Sequence, residues 1–134
     1  MWCSRMSAAL LAVALLPVLA GCSSARHDDA EAAVIGFYDA YQHHDGARAC
    51  SLLSPATRAG VEQSSGTSCA SGLMKEKVPQ AGHVTATSVY GHQAQVRLAD
   101  DTAFAAEFPG GWKVVAVGCT AHPGLPYDCE VEAG

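Results

Sequence analysis

The sequence has 134 residues, 49% of them hydrophobic and 16% charged, with a formal net charge of −5. That apolar share excludes a disordered chain, and the length suits a single domain of the common size of about 100–150 residues. With 8 Lys and Arg against 13 Asp and Glu, no basic surplus exists to displace counterions, so a nucleic-acid partner is not expected.

Met1–Ser7 carries one positive charge, Arg5, and Ala8–Leu19 is an apolar run of 12 residues. A helix needs about 20 apolar residues to span a bilayer, so this run is too short. A charged start, a short apolar core and a small-residue exit describe an export signal. The exit, Leu19-Ala20-Gly21-Cys22, resembles the lipobox of bacterial lipoproteins. The resemblance implies that the Cys22 thiol receives a diacylglycerol with palmitate-type chains, that the signal is cut before Cys22, and that the protein sits lipid-anchored on the outer face of the cell membrane. Each buried CH₂ contributes ~0.8 kcal/mol, and one chain alone binds marginally; two chains would hold the protein there. The expected division is a lipoprotein signal peptide over 1–21, a lipidated tether over 22–29 and an extracytoplasmic α+β domain over 30–134.

Ala30, Ala33, Val34, Phe37, Tyr38 and Tyr41 recur at helical spacing and predict an amphipathic helix. Asp28, with Glu31 three residues on, reads as its capping box. His43-His44-Asp45-Gly46 ends it. A short second helix follows, with Ala49, Cys50, Leu52 and Leu53 apolar. Ser54-Pro55 starts another, Ser54 as cap and Pro55 at its first position. Gln63–Ser68 reads as a loop, and Cys69–Lys77 as a fourth helical candidate closed by Val78-Pro79.

From His83 the period changes to two. Val84–Val89, Gln93–Leu98, Ala103–Phe108 and Trp112–Val117 predict four strands of an antiparallel meander, the last apolar on both faces and therefore central. Thr120–Tyr127 reads as a Pro/Gly-rich loop before a short final strand, Asp128–Glu132. The inward positions are assigned as Ala94, Val96, Leu98, Phe104, Ala106, Phe108, Trp112, Val114 and Ala116. The core is expected to combine Val34, Phe37, Tyr41, Leu52 and Leu53 with Val96, Phe104, Trp112 and Val114.

Of six cysteines, Cys3 leaves with the signal and Cys22 takes lipid. Export exposes Cys50, Cys69, Cys119 and Cys129 to an oxidising compartment. Four cysteines allow three pairings, of which proximity in sequence favours Cys50–Cys69 and Cys119–Cys129. A zinc site is the rival, but no C-x₂-C spacing is present.

Helices followed by a curved meander resemble the NTF2-like α+β cone fold. The carrying residues are Ala33-Val34-Ile35-Gly36-Phe37-Tyr38-Asp39-Ala40, Cys50-Ser51-Leu52-Leu53-Ser54 and Gly110-Gly111-Trp112-Lys113-Val114-Val115, and the likeness spans nearly all of residues 30–119. The cystatin-like helix-on-sheet fold is the near alternative. The whole is also similar to small cysteine-bearing lipoproteins of high-GC Gram-positive bacteria. Some NTF2-like proteins are dehydratases, isomerases or hydrolases with an Asp or Glu inside the cone.

Such chemistry needs a carboxylate in apolar surroundings, and none of the inward strand positions is ionisable. Asp39 lies one helical step off the apolar stripe, so an Asp39–His43 acid–base pair is disfavoured. His43, His44 and Asp45 point apart on a helix end, where a cationic His has a structural reason to sit. His122 has no carboxylate close in sequence, and the acidic residues at 100–101 read as a turn. The expectation is no catalytic residue, no metal and no cofactor. The chain then reads as a non-catalytic binding or interaction module at the cell envelope. Its partners are membrane lipid through acylated Cys22 and an envelope protein or hydrophobic ligand. The alternative is a small NTF2-like enzyme or hydrophobic-ligand carrier using the cone interior.

Overall fold

The computed structural model describes residues 21–134, with side chains from Ser23 onward. The signal segment and the Cys22 side chain, and with them the lipidation reading, lie outside the described residues. Four helices precede five strands: α1 (Gly21–Gln42), α2 (Gly46–Leu52), α3 (Pro55–Ser65), α4 (Cys69–Leu73), β1 (Val84–Tyr90), β2 (Gln93–Leu98), β3 (Thr102–Phe108), β4 (Gly111–His122) and β5 (Leu125–Glu132). The strands form one antiparallel sheet in the order β1-β2-β3-β4-β5. The chain is therefore α+β, with helices gathered on one face of a meander.

α1 lies across β1 through β4, while α3 covers β4 and β5 and α2 and α4 pack beside them. The apolar stripe behaves as its spacing requires: Ala30, Val34, Phe37, Tyr38 and Ala40 are buried, and Tyr41 packs on the core from its edge. Full burial of side chains such as Val34 and Phe37 contributes about 1.5–3 kcal/mol each. Among the described residues no buried side-chain nitrogen or oxygen lacks a hydrogen-bond partner.

The start of α1 differs from expectation. Asp28 and Glu31 do not cap it; the helix is already continuous from Gly21, so 22–29 is helix rather than slack tether. Glu31 instead accepts a hydrogen bond from the Thr87 hydroxyl at 2.5 Å. The polar residues of this stretch misled because a helix face turned to water reads like a linker. Helix α4 is also shorter than the Cys69–Lys77 candidate, ending at Leu73. Helix α3 runs on to Ser65 before Gly66 closes it in the left-handed region at φ 65°. Ser54 and Ser68 cap α3 and α4, accepting from Thr57 N and Ser71 N.

In β3 the expected face is reversed. Ala103 and Ala105 are buried under the helices, while Phe104, Ala106 and Phe108 are partly exposed. Phe104 pairs with Gln95 and Ala106 with the exposed Gln93, so these side chains stand on the outer face. Ala103-Phe104-Ala105-Ala106 is apolar at every position, and a period of two cannot choose between such faces. Packing does: small alanines let the bulky Phe37 and Tyr38 of α1 come close. The Thr120–Tyr127 loop is likewise mostly strand, since β4 reaches His122 and β5 begins at Leu125.

Halfway along β4 the pairing shifts, leaving Val115 extra between the Phe104–Ala116 and Ala105–Val114 pairs. Here β5 ends, and the α2–α3 junction takes over the free edge. Ser54 N donates to Val114 O at 2.8 Å, and the Thr57 hydroxyl to Val115 O at 2.8 Å. Exposed strand carbonyls are thereby closed off by a helix cap.

Candidate functional site

Two polar clasps and one apolar groove carry the chemistry of the described residues. The first clasp centres on Asp101, which the sequence reading treated only as a turn residue. Its Oδ1 accepts from Thr102 N at 2.7 Å and Cys119 N at 3.1 Å, and its Oδ2 from Gly118 N at 2.9 Å and from the Tyr38 hydroxyl. Gly118 sits at φ +66°, and a Cβ there would lie 2.8 Å from that of Glu130; glycine lets the β4 backbone turn its amide toward the carboxylate. Burial first, then the hydrogen bond to Asp101 and that group's charge, push the Tyr38 phenol far above the ordinary tyrosine range. Tyr38 therefore stays a donor.

Two carboxylate oxygens offer about four acceptor positions, and in Asp101 four donors occupy them. A general base needs a free lone pair within reach of a substrate proton. With these four donors the arrangement fastens α1 to β4 and the β2–β3 turn. The hollows on either side are open: one of about 390 Å³ beside Lys77, Asp101 and Glu130, another of about 400 Å³ beside Ile35, Asp39 and Asp100.

The second clasp lies at the start of α1. Arg26 Nη2 donates to Glu107 Oε2 at 2.9 Å and to Gly91 O, and its guanidinium stands 5.8 Å from the Trp112 ring centre. His92 Nδ1 is 3.1 Å from the same Glu107 oxygen. The His92 hydrogen bond, with Arg26 beside it, holds the exposed Glu107 carboxyl below the usual carboxylate range.

The groove lies on the outer face of the sheet, about 600 Å³ in volume, and its walls include Phe104, Ala106, Val115, Pro126, Tyr127 and Ala133. The Phe104 and Tyr127 rings meet edge to face with centres 5.0 Å apart. Gln95 Nε2 donates to the Tyr127 hydroxyl at 3.0 Å. Aromatic walls with a few fixed polar groups are a lining that ligand sites commonly share. The reversed face of β3 is what builds it.

Cys50 is bonded to Cys69 and Cys119 to Cys129. The first bond staples α2 to α4, where Gly46 allows close approach: a Cβ on it would lie 2.6 Å from Ala70 O. The second joins registered partners of β4 and β5. Asp39 is exposed, within 3.4 Å of both His43 Nδ1 and Arg48 Nη1. His44, Asp45 and His122 are exposed, and Asp45 caps α2 by accepting from Arg48 N at 3.0 Å. Among the described residues no three His, Cys, Asp or Glu side chains converge on one point, and no helix is long and apolar enough to cross a membrane.

No protein-family model matches this chain, and no curated protein or solved structure matches it.

Asp101 was legible in part: Asp100-Asp101 marks the turn, but nothing local says which carboxylate turns inward. Tyr38 falls on the buried stripe, and a buried tyrosine needs a partner for its hydroxyl. That need was the available signal.

Proposed function

We propose that this chain is a lipid-anchored lipoprotein on the outer face of the cell membrane, carrying an NTF2-like domain that acts as a non-catalytic binding module. The Leu19-Ala20-Gly21-Cys22 exit supports the anchor, and two disulfides suit an oxidising compartment. The NTF2-like assignment draws on a long first helix laid across an antiparallel meander. The observation that carries the binding reading is the open outer groove with the Phe104–Tyr127 pair, on the face of the sheet opposite α1. The sheet face under the helices is filled by α1 side chains instead: Val34 and Phe37 are fully buried in one core with Val96 and Ala103. A partner presenting an apolar segment suits the groove, with a free hydrophobic ligand as the second outcome of the test.

The test has two readouts. Mass spectrometry of the protein isolated from membranes should find diacylglycerol on Cys22, and an unmodified Cys22 overturns the anchor. Native co-purification compares wild type with Ala106→Arg, which places a charge in the groove. Loss of the bound protein or small molecule supports the groove; an unchanged complex removes it from the binding surface.

A further inference from the structure

The first residues of α1 are helical and carry a tie to the sheet. Helix α1 is continuous from Gly21, and Arg26 fastens it to the sheet through Gly91 O, Glu107 and the face of Trp112. Cys22 precedes Arg26 by four residues, a rise of about 6 Å in a helix. The Cys22 backbone therefore lies about one helical turn from the clasp, on the same continuous helix.

That clasp joins one particular end of the sheet. The β1–β2 turn supplies Gly91 and His92, and Glu107, Phe108 and Pro109 lead into the β3–β4 turn. Tyr90, at the same end, is 73% exposed, among the most exposed large apolar side chains of the described residues. Phe108 and Pro109 border a hollow of about 480 Å³ with His92 and Glu107. A tyrosine has an apolar ring and a polar tip, which suits the headgroup level of a bilayer. Asp28 and Asp29 are exposed on the same stretch of α1, so attraction to anionic lipid is not the driving term.

Resting on the lipid-anchor reading above, we propose that the domain stands on the bilayer in a fixed orientation. The β1–β2 and β3–β4 turns, with Tyr90, Phe108 and Pro109, rest in a neutral headgroup layer. The 12-residue β4 strand then leads away from the membrane for up to about 35 Å at ~3.3 Å per residue. It places the β4–β5 hairpin, with Leu125 69% exposed at its tip, at the far end.

The full-length lipoprotein, purified with its lipid and reconstituted in phosphatidylcholine vesicles, tests this through energy transfer from tryptophan to a dansyl-headgroup lipid. Trp112 is the sole tryptophan after residue 22 and reports on the near end without any substitution. Expected are clear transfer from Trp112, a further rise in Tyr90→Trp and several-fold weaker added transfer in Leu125→Trp. Equal added transfer from both positions, or vesicle-bound wild type without transfer from Trp112, overturns the orientation while leaving the anchor intact. If the protein isolated from membranes proves to carry no diacylglycerol on Cys22 and stays off the vesicles, the anchor and this inference fall together.

Discussion

Both ends of α1 are tied to the sheet by a carboxylate, but the two ties differ in what surrounds them. At Tyr38 the phenol is buried, and Asp101 gathers three backbone amides besides. At Arg26 the partners are side chains in water, with Arg26 and Glu107 side chains 38% and 35% exposed. Water competes with the second set, whereas in the first the Tyr38 phenol is shut away from it and only the half-buried Asp101 borders an open hollow. Desolvation makes an unmet partner costly, and solvent makes it cheap. One helix thus has a firmly held end and a lightly held end, and the lightly held end is the one nearest Cys22.

Phe37 lies between the two clasps and is fully buried. Phe37→Ala should cost about 3–5 kcal/mol and weaken both ends alike, which a denaturant melt measures. A loss confined to one end, seen by hydrogen exchange, would mean that the clasps do not belong to one cooperative unit. Asp101→Ala comes next, at about 2–4 kcal/mol, because it leaves the Tyr38 hydroxyl and three amides without their acceptor. A cost equal to that of a surface ion pair would erase the contrast between the ends.

The sequence showed much of this fold, and where it failed the cause was physical. The stripe from Ala30 to Tyr41 and the Ser54-Pro55 cap were legible because each rests on neighbours within a few residues. The face of β3 was not, because Ala103-Phe104-Ala105-Ala106 offers no polar residue to mark the solvent side. The choice came from the bulk of Phe37 and Tyr38 on another element. Asp101 was hidden for the same reason, its partners lying 63 residues away at Tyr38 and 17 residues away at Gly118. The groove followed from the β3 reversal, so an error of one strand face also concealed the groove on the outer face.

Tyr38→Phe separates the phenol from the rest of its clasp. The expected cost is about 1.5–3 kcal/mol, the scale of a hydrogen bond to a charged acceptor. Its pH dependence is the sharper readout. The folded-state pKa of Tyr38 is raised, so its contribution is complete below the ordinary tyrosine value of about 10 and falls as pH rises beyond it, where the unfolded chain releases the proton first. The variant should lose less stability than wild type on going to alkaline pH. Parallel curves would place the phenol in contact with water.

Arg26→Ala should cost less than about 1 kcal/mol, in the range of exposed ion pairs. Its effect belongs in local opening: amides of residues 23–30 should exchange faster while the global melt barely moves. A large global loss would make the lightly held end as firm as the other.

The smallest effect is the acid titration of Glu107, which reads the light clasp directly. Its folded pKa is lowered, by the His92 hydrogen bond first and by Arg26 after it. A lowered carboxylate contributes stability above its unfolded value of about 4.3, and that contribution disappears as pH falls through the lower folded value. Carboxyl NMR should find Glu107 titrating below ordinary glutamates, and His92→Ala should return it further toward the usual value than Arg26→Ala does. Salt should narrow the shift, since the groups are exposed and their attraction is screened. An ordinary Glu107 titration in low salt would mean that the clasp does not persist in water. It would also remove the restraint that fixes the angle between α1 and the end of the sheet nearest Cys22.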